Sequence, residues 1–308
     1  MAIVGAGFVG RAWALVFARA GWHVRVSEPV AQVREQLPML LRTMAEELVA
    51  AGLALDADAI TSRIKLCGRL EDALQGVRFV QESGPELVEI KQAIFADLDR
   101  LSPPDAILAS SSSAIVASRF SEALAGRARC LIGHPVNPPH LVPVVELCGA
   151  PWTSQETITR AREIYHGIGQ VPVTVNREIE GFVLNRLQAV VLTEALRLVA
   201  DGVVSPQDLD HTMKDGLGLR WSFMGPFETI ELNAPGGIAD YAERYGPAFA
   251  RIAADVPNAG VWTPEKIESL VAAWGKPDAA SLKSKIDWRD KTLAALMAHK
   301  QSNAKAPS

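Results

Sequence analysis

The chain is 308 residues long, which at about 150 residues per domain leaves room for roughly two domains and a sizeable core. Hydrophobic residues make up 48% and charged residues 21%, with 31 Lys and Arg against 35 Asp and Glu, a mildly acidic globular composition. No Lys/Arg-rich block is present, so neither nucleic acid nor an anionic membrane surface is an expected partner, and no window approaches the ~20 apolar residues of a spanning helix.

From the N-terminus, short β-branched runs alternate with longer helical stretches. Strands are predicted near residues 2–5, 23–27, 64–67, 77–81, 106–110, 130–133, 144–147 and 171–175. That alternation builds an α/β fold with a doubly wound, mostly parallel sheet covered on both faces. After Val175 the periodicity turns helical, with stretches at 182–200, 206–214, 238–254, 264–274 and 281–299. In the first of these, Val183, Leu184, Leu187, Val190, Val191 and Leu192 wrap round more than one side. A helix apolar on several faces is buried, here in a helical core or against a second subunit, and a homodimer is expected. The expected division is a sheet domain at 1–178, a smaller all-helical C-terminal domain at 179–300 for substrate and dimerisation, and a flexible tail at 301–308.

The run Met1-Ala2-Ile3-Val4 meets glycine at once and has no basic region, long apolar stretch or cleavage site, so a cytoplasmic protein is expected. Cys67, Cys130 and Cys148 form no CxxC pair and sit in apolar runs, the pattern of reduced core thiols. No His/Cys/Asp/Glu cluster has ligand spacing, so no metal is expected.

The first strand opens into Gly5-Ala6-Gly7-Phe8-Val9-Gly10 at the start of a helix, and the next strand ends on Glu28, 18 residues past the last glycine. A GxGxxG in that setting is the Rossmann dinucleotide fingerprint. Gly5 permits the tight turn, Gly7 lets the backbone approach a pyrophosphate, Gly10 allows the helix to pack on the strand, and Phe8 and Val9 complete the loop. The helix N-terminus offers free N–H groups and partial positive charge to the phosphates. Glu28 would take the adenosine ribose hydroxyls and repel a 2′-phosphate, which favours NAD over NADP.

Among six histidines, His134 ends the apolar run Cys130-Leu131-Ile132-Gly133, and the carboxyl ends of strands in such sheets face the ligand crevice. Twelve residues later Glu146 interrupts the apolar strand Val144-Val145-Glu146-Leu147, and a buried acid is costly without a partner. Pairing it with His134 satisfies that cost and makes a base: the carboxylate fixes the tautomer and stabilises the imidazolium. In alcohol oxidation that base removes the hydroxyl proton as hydride leaves the carbon.

These residues resemble the 3-hydroxyacyl-CoA dehydrogenase family, and within it the branch of λ-crystallin and L-gulonate 3-dehydrogenase. The shared features are the glycine loop, the Ser110 to Ser113 tract, His134-Pro135-Val136-Asn137-Pro138 with Glu146, and Gly181-Phe182-Val183-Leu184-Asn185-Arg186. Branch features are Pro139 after that histidine motif, Gly216-Leu217-Gly218-Leu219-Arg220, Gly225-Pro226-Phe227-Glu228-Thr229 and Leu232-Asn233-Ala234. The resemblance implies that His134 is the base and Glu146 its orienting partner. It implies that Ser113 and Asn185 donate hydrogen bonds around the substrate oxygen, where charge changes, and that Glu86 and Lys91 contact the nicotinamide side of the cofactor. Glu28 stands where the family usually has Asp, a longer arm for the same ribose.

For the substrate, phosphates of a coenzyme A would need Lys or Arg on the receiving surface. The stretch 30–60 holds only Arg34 and Arg42 against Glu35, Glu46, Glu47, Asp56 and Asp58. A small hydroxy acid needs one cation for its carboxylate, and Arg220 in the branch motif is the candidate. The expectation is NAD-dependent oxidation of the 3-hydroxyl of a small hydroxy acid, most like L-gulonate 3-dehydrogenase. The rivals are a short-chain (S)-3-hydroxyacyl-CoA dehydrogenase and a non-enzymatic, NAD-binding crystallin-like protein.

Overall fold

A strand covered on both faces carries apolar side chains on both sides of its pleat. The computed structural model, which describes residues 1–255, 259–276 and 278–303, shows this through the centre of one sheet. Its strands are β1 (Ala2–Val4), β2 (Val24–Ser27), β3 (Ile64–Cys67), β4 (Phe79–Glu82), β5 (Ile107–Ser110), β6 (Cys130–Pro135), β7 (Val144–Gly149) and β8 (Val171–Val175). They lie in the order β3-β2-β1-β4-β5-β6-β7-β8, and every neighbouring pair is parallel except β6 with β7.

Alternation along the strands separates two apolar layers. Ile3, Phe79, Ile107, Leu131 and Leu147 meet Trp13, Phe17 and Tyr165 on one side. Val4, Val80, Leu108, Ile132 and Cys148 meet Leu74, Phe95, Leu98 and Phe120 on the other. Burial of each large side chain stabilises by roughly 1.5–3 kcal/mol, and the Tyr165 ring centre lies 5.4 Å from those of both Trp13 and Phe79. The helix Phe8–Arg19 presses its Trp13 to Ala18 face into the first layer and stops before Gly21, whose φ of 90° only glycine adopts readily. The helix Ala31–Ala50 uses Leu37, Leu41 and Ala45, a stripe at helical spacing, for the same purpose. Cys67, Cys130 and Cys148 are buried free thiols, and burial pushes Cys130 and Cys148 up to about 12. No helix among the described residues is long and apolar enough to cross a membrane.

The chain divides into two compact units, Met1–Leu184 together with the chain from Lys285 onward, and Asn185–Ser284. This differs from the expected division at both ends of the helical region. Phe182 is buried in the second sheet layer beside Ala150 and Val175, which ties residues 179–184 to the sheet. Leu293 and Ala294, on the last helix Ala279–Ser302, cluster with Leu48 and Leu141, which ties that segment to the sheet unit as well. The helix continues through Gln301 and Ser302, where a flexible tail was expected; residues 304–308 of that tail lie outside the described residues.

The second unit, taken by itself, is helical, with Leu184–Ala200, Pro206–His211, Gly218–Trp221, Pro226–Leu232, Gly237–Ala254 and Pro264–Trp274 as its α-helices. A π-helical turn, Thr212–Leu217, replaces the regular end expected near Lys214. The helix predicted from Phe182 begins at Leu184, because Gly181 and Phe182 adopt left-handed φ values of 75° and 47° that no α-helix accepts. Among the described residues its many-sided apolar surface is not covered by a helical core: Leu187 and Val190 are 63% and 69% exposed.

Candidate active site

Strand order reverses between β1 and β4, and open α/β sheets bind ligands in the crevice outside the carboxyl ends at that switch. The glycine loop leaves β1 there and Ser83 leaves β4. Close approach dictates two of its glycines: a Cβ on Gly5, at φ 94°, would stand 2.8 Å from the Ser83 carbonyl oxygen, and one on Gly10 would stand 1.9 Å from the Gly5 carbonyl oxygen. Around Gly7 the same atom would meet only open space. The helix Phe8–Arg19 has no side-chain cap and no acidic residue in its first turn, so its N–H groups and dipole are left for an anion. These features fit NAD. Phe8 stands partly exposed with the Arg11 guanidinium 5.3 Å from its ring centre, and Val9 packs on the core.

Glu28 lies at the end of β2 and is buried. Its Oε2 accepts the Ala6 N–H at 3.0 Å and its Oε1 the Val30 N–H at 2.9 Å, so the carboxylate is held against the glycine loop it was expected to serve. Arg34 donates to the Glu28 carbonyl oxygen at 2.7 Å.

The antiparallel register of β6 and β7 sets His134 opposite Glu146. Nδ1 of His134 lies 2.9 Å from Oε2 of Glu146, and the two residues are 5% and 2% exposed. A carboxylate only accepts, so Nδ1 carries the proton and Nε2 the lone pair. Oε1 of Glu146 accepts the N–H groups of Val183 and Leu184 at 2.9 and 3.0 Å. Burial raises the Glu146 carboxyl, but the hydrogen bonds from His134, Leu184 and Val183 together outweigh it and hold the group below its ordinary value. Phe182 packs its ring 5.5 Å from the imidazole. The left-handed turn at Gly181 and Phe182 thus delivers one ring and two amides to the pair. Sequence reasoning placed Phe182 in a helix and missed all three.

Ser113 lies just past β5, the parallel neighbour of β6, and is therefore at the same edge of the sheet as His134. Residues 113–115 turn their N–H groups onto Oε1 of Glu86 at 3.0, 2.9 and 3.3 Å, and the Ser112 hydroxyl donates to the same oxygen. Converging backbone N–H groups of this kind make an anion nest. Burial raises the Glu86 carboxyl, while the Ser112 hydroxyl, the Ala114 N–H, Lys91 and the Ile115 N–H lower it further, below its ordinary value.

Lys91, for which the resemblance implies a cofactor contact, is held inside the sheet unit by Glu82. It is 1% exposed, on the inward face of the helix Val88–Leu101, with Nζ 3.1 and 2.9 Å from the two oxygens of the wholly buried Glu82. Glu82 was also missed, although the logic that singled out Glu146, an acid inside an apolar strand, applies equally to Phe79-Val80-Gln81-Glu82. Asn185, the second residue of the helix Leu184–Ala200, and Arg220, exposed on the short helix Gly218–Trp221, belong to the second unit.

Two family models match the chain. One described as the 3-hydroxyacyl-CoA dehydrogenase NAD binding domain covers residues 1–179, and one described as the C-terminal domain of the same enzymes covers residues 181–259. The chain is 42% identical over 303 residues to a lambda-crystallin homolog of Bos taurus, spanning 96% of this chain and 94% of the relative. It is 35% identical over 250 residues to an L-carnitine dehydrogenase of Streptomyces coelicolor, spanning 81% and 78%. Among solved structures it is similar, with a TM-score of 0.86 and 26% identity over 99% and 98% of the two chains, to 5-formyl-3-hydroxy-2-methylpyridine 4-carboxylic acid 5-dehydrogenase, described as an NAD+ dependent dismutase.

Proposed function

Because the chain belongs to the 3-hydroxyacyl-CoA dehydrogenase family and is an NAD-dependent dehydrogenase acting on hydroxyl groups, we propose that it oxidises the 3-hydroxyl of a small hydroxy acid, most like L-gulonate. The observation that carries the chemistry is the His134–Glu146 pair, held by strand register on one side and by the Val183 and Leu184 amides on the other. NAD, held by the glycine loop, the first amides of the helix Phe8–Arg19 and Glu28, supplies the hydride acceptor when bound. His134 Nε2 takes the hydroxyl proton as the carbon gives up its hydride, and Glu146 stabilises the imidazolium that results. Ser113 and Asn185 donate to the oxygen as it turns from hydroxyl to carbonyl.

The choice of a small acid over a thioester is supported by the scarcity of positive charge in residues 30–60, where two arginines stand against five acids. Arg42 is engaged by Glu46 and Asp58, and Arg34 by the carbonyl of Glu28. Arg42 is thus neutralised by two carboxylates, and only Arg34 brings unneutralised positive charge to a polyphosphate from this stretch. Carnitine, the substrate named for one relative, is itself a small 3-hydroxy acid. Arg220 is the proposed partner of the substrate carboxylate.

Initial rates of NADH formation with L-gulonate and with 3-hydroxybutyryl-CoA, on the native chain and on Arg220→Met, test both proposals. The native chain should prefer gulonate, and the variant should show a KM for it raised by at least about tenfold, one lost charged hydrogen bond. Preference for the thioester would overturn the substrate, and an unchanged KM would overturn the role of Arg220.

The apolar, exposed face carrying Leu187 and Val190 is proposed to pair with a second copy of the chain, since exposed apolar patches of this kind mark interfaces. The native mass in solution should be that of a dimer, and Leu187→Glu with Val190→Glu should halve it. A monomeric native chain would refute the pairing.

A further inference from the structure

The residue that precedes His134 on β6 is Gly133, and glycine is the most pliable unit of backbone. A base that must meet a substrate hydroxyl in one geometry needs the peptide that carries it held. The pairing of β6 with β5 ends at Ile132, opposite Ser110, one residue short of that peptide. The hold comes from β4. Gln81 is wholly buried beside Ala109 in the parallel register, and the alanine side chain is short enough for the glutamine to pass over β5. Its Nε2 donates to the Gly133 carbonyl oxygen at 3.2 Å and to the Ser111 hydroxyl oxygen at 2.7 Å. A carbonyl only accepts, so the NH₂ of Gln81 faces Gly133 and its Oε1 is turned away. There Oε1 accepts the hydroxyl of Tyr165, wholly buried on the helix Gln155–Gly167. Tyr165 also explains the glycine, because a Cβ on Gly133 would overlap the phenol oxygen. A buried amide is costly unless its donors and acceptor are all bonded, and here they are. The Ser111 hydroxyl meets that of Ser83 at 2.9 Å, which ties the start of the loop after β5 to the end of β4.

We propose that Gln81, oriented by Tyr165, is a positioning residue that fixes the two strand ends of the reaction against each other. Through the Gly133 carbonyl it sets the peptide plane from which His134 leaves the backbone. Through Ser111 it holds the start of the loop that carries Ser113. One amide thereby sets the spacing between the base and a donor that serve the same substrate oxygen, which rests on the reading of His134 as the base and Ser113 as the donor. A misplacement of about 1 Å in such a pair costs on the order of 10²-fold in rate, so a rigid internal tie suits this place better than two loops held separately.

Gln81→Met keeps the length of the side chain and removes the amide, and Tyr165→Phe removes the hydroxyl that would then be buried without a partner. The test therefore uses Gln81→Met/Tyr165→Phe, in the native chain and in one carrying His134→Gln. Steady-state rates are taken with L-gulonate and NAD, and amide hydrogen exchange is followed through the sheet. The double variant should lower kcat by about 10²-fold without raising KM for NAD, and should cost little more once His134 is already glutamine. Exchange should quicken at residues 111–113 and 133–135 and stay native in β1 and β2. A native kcat, or a loss carried by KM for NAD, would overturn the proposal. So would a full loss repeated in the His134→Gln chain, and so would exchange that is native or that quickens throughout the sheet. If L-gulonate is not turned over, or His134→Gln leaves its turnover native, the reading of the substrate or of the base fails, and the exchange alone decides whether the amide joins the two strand ends. Should the double variant not fold, Tyr165→Phe, which removes one oxygen and keeps the ring, is read the same way. A kcat lower by about tenfold with quicker exchange at the same residues supports the proposal, and a native value of either overturns it.

Discussion

His134→Gln should lower kcat by about 10²- to 10⁴-fold, the usual loss when a positioned general base is removed, while NADH binds as to the native chain. The basis is geometric. His134 is the last residue but one of β6, its Nδ1 committed to Glu146, so only Nε2 can take a proton. Glutamine is close to it in volume and can still donate to Oε2 of Glu146, so Phe182 and the Val183 and Leu184 amides have no reason to move. The glycine loop and Glu28 lie on β1 and β2, away from β6 in the sheet order, which is why cofactor affinity should survive. Turnover within tenfold of native would remove His134 as the base.

Glu146→Gln should cost nearly as much, about 10²-fold or more, because it reverses the tautomer of a neighbour it does not otherwise disturb. Val183 and Leu184 both present N–H groups to one carboxylate oxygen, so the glutamine carbonyl must face them. Its NH₂ then faces His134 Nδ1, which is forced to accept, and the proton moves to Nε2. A protonated Nε2 cannot take a proton from substrate. Glu146→Asp keeps the charge but shortens the arm, and should lose less. Equal losses in the two variants would show that charge and tautomer are not what the position supplies.

The same carboxylate gives a pH signature. Its folded pKa is depressed, so the stability it contributes is fully present above the unfolded value of about 4.3 and is lost as pH falls through the lower folded value. Thermal unfolding followed from neutral pH downward should show the native chain losing Tm more steeply than Glu146→Gln below about pH 4, with parallel curves above. Parallel curves throughout would mean that the pair carries no linkage.

Much of this could be read from the residues because it depends on local pattern. Runs of β-branched residues and the helices between them specify eight strands, since each strand advertises itself by its own side chains and its turns. The glycine loop and Glu28 are visible because the steric demands on Gly5 and Gly10 arise from backbone that is near in sequence or that any βαβ unit brings near. His134 and Glu146 stand out because an acid in an apolar strand must have a partner. The same reasoning was open for Glu82 and would have led to its buried partner Lys91, which entered only through the cofactor contact that the family resemblance implies.

The residues alone therefore determined the class of fold and the cofactor, and they singled out the His134–Glu146 pair proposed as the base. Tertiary structure alone decided the rest. The register of β6 against β7 puts imidazole and carboxylate 2.9 Å apart, the left-handed turn at Phe182 brings two amides to Glu146 across 37 and 38 residues, and the inward rotation of the helix Val88–Leu101 sends Lys91 to Glu82. The physical reason is common to all three. Propensity and periodicity act between neighbours along the chain, whereas the partner of a buried charge is chosen by which distant segment packs against it, and that choice is made only when the two layers of the core close.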